Sequence, residues 1–112
     1  MFRRCCAVLV VVLVALPVSA SGAVELDGAA VYRQNCVACH GAAADGRGPA
    51  AMALRPAPPD LTDPEWWAAR TDAEVAASVR SGIPGTSMVP YAAMSEEELS
   101  AMVAWLRTQS AE

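Results

Sequence analysis

The chain has 112 residues, 18% of them charged, with eight arginines, no lysine and twelve acids for a net charge of −4. That length holds one domain at most. The clustered positive charge that phosphate binding needs is missing, so nucleic acid is excluded as a partner.

Residues 1–20 read as a secretory signal peptide and not as part of the fold. Arg3 and Arg4 form a basic start, residues 7–16 an apolar run, and Pro17-Val18-Ser19-Ala20 a small-residue cleavage pattern. The apolar run is shorter than the roughly 20 residues a bilayer span takes. The alternative is an uncleaved membrane anchor. Pro17 and the small residues after it favour cleavage, after Ala20 ahead of Ala23. Cys5 and Cys6 leave with this segment, and neither sits in a lipobox-like pattern. The expected product, 21–112, is one periplasmic domain without stable membrane insertion. Loss of Arg3 and Arg4 leaves six arginines against the twelve acids, a charge of −6. Such a surface suits docking on a basic partner face, weakened by salt.

In chain order, Asp27 is the expected N-cap of a first helix running to about Cys36, with Val31 and Tyr32 on its buried face. Residues 41–65 carry Gly41, Gly46, Gly48, Pro49, Pro56, Pro58, Pro59 and Pro64, a density that predicts extended loop. A short helical turn fits 50–54. Pro64 suits the first turn of a short helix capped by Thr62 or Asp63 and bearing Trp66 and Trp67. Thr71-Asp72-Ala73-Glu74 is a capping box that opens a helix with Val75 and Val79 on one face, ending at Gly82. Residues 83–93, with Pro84, Gly85 and Pro90, form another loop. Ser95-Glu96-Glu97-Glu98 is a second capping box, and Leu99, Met102, Val103 and Leu106 follow helical spacing behind it. No strand alternation is evident. The reading is an all-α domain of three main helices joined by Gly/Pro-rich loops. Its own apolar faces are short, so a large apolar cofactor is expected to fill the middle.

Once the leader is removed, Cys36 and Cys39 are the only cysteines and His40 the only histidine. Cys36-Val37-Ala38-Cys39-His40 is the C-x-x-C-H pattern of c-type haem attachment. Two thiols three positions apart on a tight helical turn can each add to a haem vinyl group. The next residue then places its imidazole on the iron. A structural zinc site would need four ligands, and they are not present. A thioredoxin-like pair follows a strand, and none precedes Cys36. A plain disulfide is the remaining alternative, and it leaves His40 without a role. With no second histidine, the sixth ligand is expected to be a methionine. Met102 lies on the apolar face of the last helix, and Met52 follows His40 closely. Met94 precedes the final capping box as a hydrophobic staple. Met88, in the irregular loop Pro84-Gly85-Thr86-Ser87-Met88-Val89-Pro90, is preferred, with Met94 second. Gly85 there would let the backbone pass close to the ring.

These residues resemble the class I cytochrome c family over nearly all of 24–108. The family's glycine and aromatic eight and four residues before the first haem cysteine are matched by Gly28 and Tyr32, and their partners on the last helix by Met102 and Trp105. The resemblance implies a cytochrome c fold around one covalent haem c, with His40 and Met88 as axial ligands. It also implies that the Pro49 carbonyl of Gly48-Pro49 accepts the second N–H of His40. The family often places proline directly after the ligand methionine, whereas here Val89 intervenes before Pro90. Gly46-Arg47-Gly48-Pro49 through Pro58-Pro59-Asp60-Leu61-Thr62 looks like a bacterial subgroup of single-haem carriers and haem domains of respiratory or dehydrogenase complexes. One of Trp66 and Trp67 is then expected against the haem. Arg55 or Arg70 is expected on a propionate, or else in solvent. The implied activity is one-electron transfer, without catalysis, between redox proteins such as a dehydrogenase, a cytochrome bc1-type complex or a terminal oxidase. The alternative is a haem protein with a labile sixth ligand that binds small ligands or reacts with peroxide.

Overall fold

The computed structural model describes residues 10–17 and 26–110. Most of the expected leader, with its basic start and cleavage pattern, lies outside them. Residues 10–17 are exposed and have no regular structure.

Five helices follow in the order α1 (Gly28–Asn35), α2 (Val37–His40), α3 (Pro64–Ala68), α4 (Asp72–Ser81) and α5 (Glu96–Gln109), with one 3-10 turn at Ala51–Ala53. Among the described residues there is no strand, and α1, α4 and α5 are the expected three main helices. The first of them ends where its sequence suggests, with Cys36 as the C-cap. Cys36, at φ −119° and ψ −20°, breaks the helix after Asn35, and the haem motif opens a separate turn.

Local chemistry sets the helix starts. The Asp27 carboxylate accepts the Ala29 N–H at 3.0 Å to open α1, and Asp63 caps α3 with Pro64 in its first turn. Both expected capping boxes form. Thr71 Oγ1 accepts the Glu74 N–H at 3.1 Å and Ser95 Oγ accepts the Glu98 N–H at 3.1 Å, with each glutamate returning to its cap's N–H at 2.9 Å.

The core is organised by α1 crossing α5. A Cβ added at Gly28 would sit 2.0 Å from the Ala101 carbonyl oxygen, so only glycine allows the two backbones this close. One turn on, Tyr32 and Trp105 hold their ring centroids 5.0 Å apart at 42°, a tilted contact favoured by the ring quadrupoles. Tyr32 and Met102 are fully buried, together with Leu99 and Val103. The Gly28/Tyr32 and Met102/Trp105 pairs thus meet as the resemblance implied. Helix α4 packs on the same helix, tied at one end by Arg107 to Asp72 and at the other by Arg80 to Glu96, each at 2.6 Å. These exposed pairs contribute below about 1 kcal/mol each. The helix crossing therefore outweighs them.

Gly28→Ala should destabilise the protein despite alanine's better helix propensity. The clash is with backbone, which cannot turn aside, so a net loss of about 2 kcal/mol is expected in a denaturant titration. An unchanged midpoint would mean that the crossing is not this tight.

Candidate functional site

The C-x-x-C-H segment is fixed by its backbone before its side chains do anything. Cys36 N–H bonds to the Tyr32 carbonyl at 2.8 Å and His40 N–H to that of Cys36 at 2.9 Å, so the motif is one continuous turn hung from α1. The loop after it folds back to satisfy the carbonyls that a helix end leaves open. Gly46, Gly48 and Ala50 donate to His40, Cys39 and Ala38 at 2.8, 3.2 and 2.9 Å. The Tyr32 hydroxyl donates to the Gly41 carbonyl, locking the start of that loop to α1. Burial, first, and the neighbouring Cys36 and Asp45 push the Tyr32 phenol well above its ordinary range, so it stays a donor.

Beside this turn lies a cavity of about 730 Å³. Cys36, Cys39 and His40 line it, as do Leu61, Val75, Val79 and Leu106 from the core and the 83–91 loop through Met88 and Tyr91. The lining is mostly apolar. Cys36 is buried and Cys39 half-buried, both as free thiols. Burial, with Cys39 adding to it, pushes the Cys36 thiol up to about 11. Burial holds the His40 imidazole below its ordinary value and hence neutral at pH 7. Its Nδ1 is buried without a hydrogen-bond partner. A neutral, unpartnered imidazole beside two thiols is a donor set with coordination capacity unused by the protein.

The methionines separate clearly. Met88 lines the cavity, and its N–H is held by Thr86 Oγ1 at 3.1 Å while that hydroxyl donates to the Ile83 carbonyl at 2.7 Å. Met52 is 89% exposed. Met94 packs half-buried on the core, with its N–H on the Tyr91 carbonyl at 3.1 Å, and is not part of the cavity wall. Met102 does border the cavity, but it is fully buried with its sulfur 3.8 Å from the Cys36 thiol.

Other expectations need correction. Trp66 lines the cavity, whereas Trp67 turns into the core and donates Nε1–H to the Leu61 carbonyl at 2.8 Å. The two rings meet edge-on at 5.0 Å, so Trp67 backs Trp66 without bordering the cavity. Pro49 is exposed, and the unpartnered Nδ1 of His40 means that the expected bond to its carbonyl is not made. Gly85 has a φ of +78°, a conformation that by itself requires glycine. Arg70 reaches the cavity rim with its guanidinium 4.2 Å over the Trp66 ring, while Arg55 bonds to the carbonyls of Met52 and Leu54. Sequence reasoning missed Tyr91 altogether. An aromatic three residues after Met88 in an otherwise turn-forming stretch was the available signal. Among the described residues no cluster of three or more His, Cys, Asp or Glu could hold a metal ion.

The model of the family described as cytochrome C oxidase, cbb3-type, subunit III matches residues 23–106. The chain belongs to this family of c-type cytochrome domains. A search of curated proteins finds no match. Among solved structures, the chain is similar to the c-type cytochrome KustC0563, with 26% identity and a TM-score of 0.61 over 75% of this chain and 98% of that one. It also shares its fold with a chain of the Kuenenia stuttgartiensis reducing HAO-like protein complex Kustc0457/Kustc0458, at 24% identity and a TM-score of 0.63. That match covers 73% of this chain but spans only 40% of the larger one. The cofactor of this domain is a covalently bound haem c, and its role is electron transfer. The residues present fit that group: an apolar cavity of the right scale, two thiols, and a neutral imidazole with nothing else to bind.

A closed void of 730 Å³ would cost roughly 17 kcal/mol at ~24 cal/mol per Å³. That matches or exceeds the whole stability of a typical domain, about 5–15 kcal/mol. The cavity opens to solvent, so the net cost is smaller than this upper bound. Protein made without haem attachment should therefore lack a cooperative helical melt in far-UV circular dichroism. A native-like transition in the haem-free chain would refute this dependence.

Proposed function

We propose that the chain is an exported, periplasmic one-electron carrier with His/Met axial ligation. Residues 1–20 act as the signal peptide, cut after Ala20, and 21–112 form the working domain. Cys36 and Cys39 would hold the haem through two thioethers, His40 would bind the iron from the adjacent turn, and Met88 would supply the sixth ligand. Placement of these four residues on one cavity, with Met52 and Met94 off its wall, carries the reading.

When bound, the haem supplies an iron that takes up and returns one electron at a time. The rest follows from the chain's residues. Held by His40 and Met88, the metal would have no site left for a substrate, which favours a carrier over a peroxide-reactive or ligand-binding protein. The soft Met88 sulfur favours the reduced state, and the apolar wall of Leu61, Val75 and Val79 disfavours the extra positive charge of the oxidised one. Both raise the potential. Trp66 shields one part of the cavity, and Trp67, pinned by its bond to Leu61, holds Trp66 in place.

Among the described residues no helix is long and apolar enough to cross a membrane. The leader's own pattern, with Pro17 and the small residues after it, supports release after cleavage. Similarity to a c-type cytochrome matched over 98% of its chain supports a single-domain carrier. The family's description and the likeness to a chain of a larger redox complex support the second form, a small subunit of an assembly. In either form its partners would be redox proteins such as a dehydrogenase, a cytochrome bc1-type complex or a terminal oxidase.

The test is spectroscopic. The intact mass of periplasmic protein should equal residues 21–112 plus one haem. Its ferric form should show the weak far-red charge-transfer band of a sulfur–iron bond. Met88→Ala should abolish that band and Met94→Ala should keep it. A high-spin ferric wild type, or a band lost only in Met94→Ala, would overturn the assignment.

A further inference from the structure

The loop that carries Met88 has few attachments to the rest of the molecule. Within itself it is turned by Gly85 and by the Thr86 hydroxyl, which bridges the Ile83 carbonyl and the Met88 N–H. To α4 it is joined by two bonds, Tyr91 N–H to the Val79 carbonyl at 3.0 Å and Arg80 to the Met94 carbonyl at 3.4 Å. Only one hydrogen bond among the described residues crosses from it to the helix pair that bears the haem motif. The Tyr91 hydroxyl donates to the Asn35 carbonyl at 3.0 Å, across 56 positions of sequence.

The place of that acceptor matters. Asn35 is the last residue of α1, immediately before Cys36, where a helix leaves carbonyls without partners. Tyr91 therefore ties the methionine loop to the residue adjoining the first cysteine. Its ring lines the same cavity as Met88, three residues away, so the tether and the sulfur belong to one short piece of chain.

We propose that Tyr91 is a positioning residue that holds Met88 at the iron by fastening its loop to the end of α1. This rests on the assignment of Met88 as sixth ligand. Loss of one such hydrogen bond is a change of about tenfold or less in the equilibrium between bound and released loop. That change should surface wherever the methionine must leave the iron.

The measurement is imidazole binding to the ferric haem-loaded protein, since exogenous imidazole competes with the methionine for the sixth position. Tyr91→Phe keeps the ring and removes only the hydroxyl. It should retain the far-red band without added ligand and bind imidazole about three- to tenfold more tightly than wild type. Asp27→Ala removes the α1 cap and is the control for a purely structural effect, because it lowers stability by a comparable amount away from the loop. It should leave imidazole affinity unchanged. The inference is overturned if Tyr91→Phe binds imidazole within twofold of wild type, or if Asp27→Ala raises the affinity as much. If Met88→Ala keeps the far-red band, the ligand assignment itself fails and the inference with it. If Met88→Ala loses the band while Tyr91→Phe keeps wild-type affinity, only the tether is wrong.

Discussion

An apolar cavity of about 730 Å³ stands where a domain of this size would otherwise place most of its core. The remaining features make sense as answers to that constraint. The helices close most tightly where Gly28 lets α1 reach the α5 backbone and Tyr32 meets Trp105, and α4 packs on α5 as well. The cavity lies between these helices, the attachment turn and the methionine loop. The protein thus trades an autonomous core for a group that is covalently tied and so cannot be lost by dissociation.

The attachment turn shows how such a site is built with little regular structure. Four residues of helix are too few to persist alone. They persist because α1 feeds them at one end, and because loop amides from Gly46, Gly48 and Ala50 cap them at the other. The methionine loop is the weaker partner. It is pinned by a hydroxyl bridge at Thr86, by two bonds to α4 and by one to α1. Such an asymmetry suits a redox centre in which one ligand is permanent and the other exchangeable in principle.

Much of this was legible in the chain. Asp27, the Thr71/Glu74 and Ser95/Glu98 boxes and Pro64 announced four helix starts because capping is local chemistry. The C-x-x-C-H motif announced the cofactor, since its spacing is dictated by haem geometry. Met88 stood apart from Met94 by its Gly-Thr context. What could not be read depended on tertiary direction. Nothing local distinguishes Trp66 from Trp67, adjacent residues whose sides are settled by the Leu61 carbonyl waiting for one indole N–H. The role of Tyr91 likewise depends on a contact across the fold. Pro49 was assigned a bond by resemblance alone, and the structure leaves the imidazole nitrogen unpartnered instead.

The central claim is a low-spin iron closed between one nitrogen and one sulfur of this chain. Iron K-edge X-ray absorption on the ferric and ferrous protein tests it most directly. The account predicts one sulfur scatterer in the first shell in both states, replaced by light atoms in Met88→Ala. A first shell of nitrogen and oxygen alone in the wild type would contradict it.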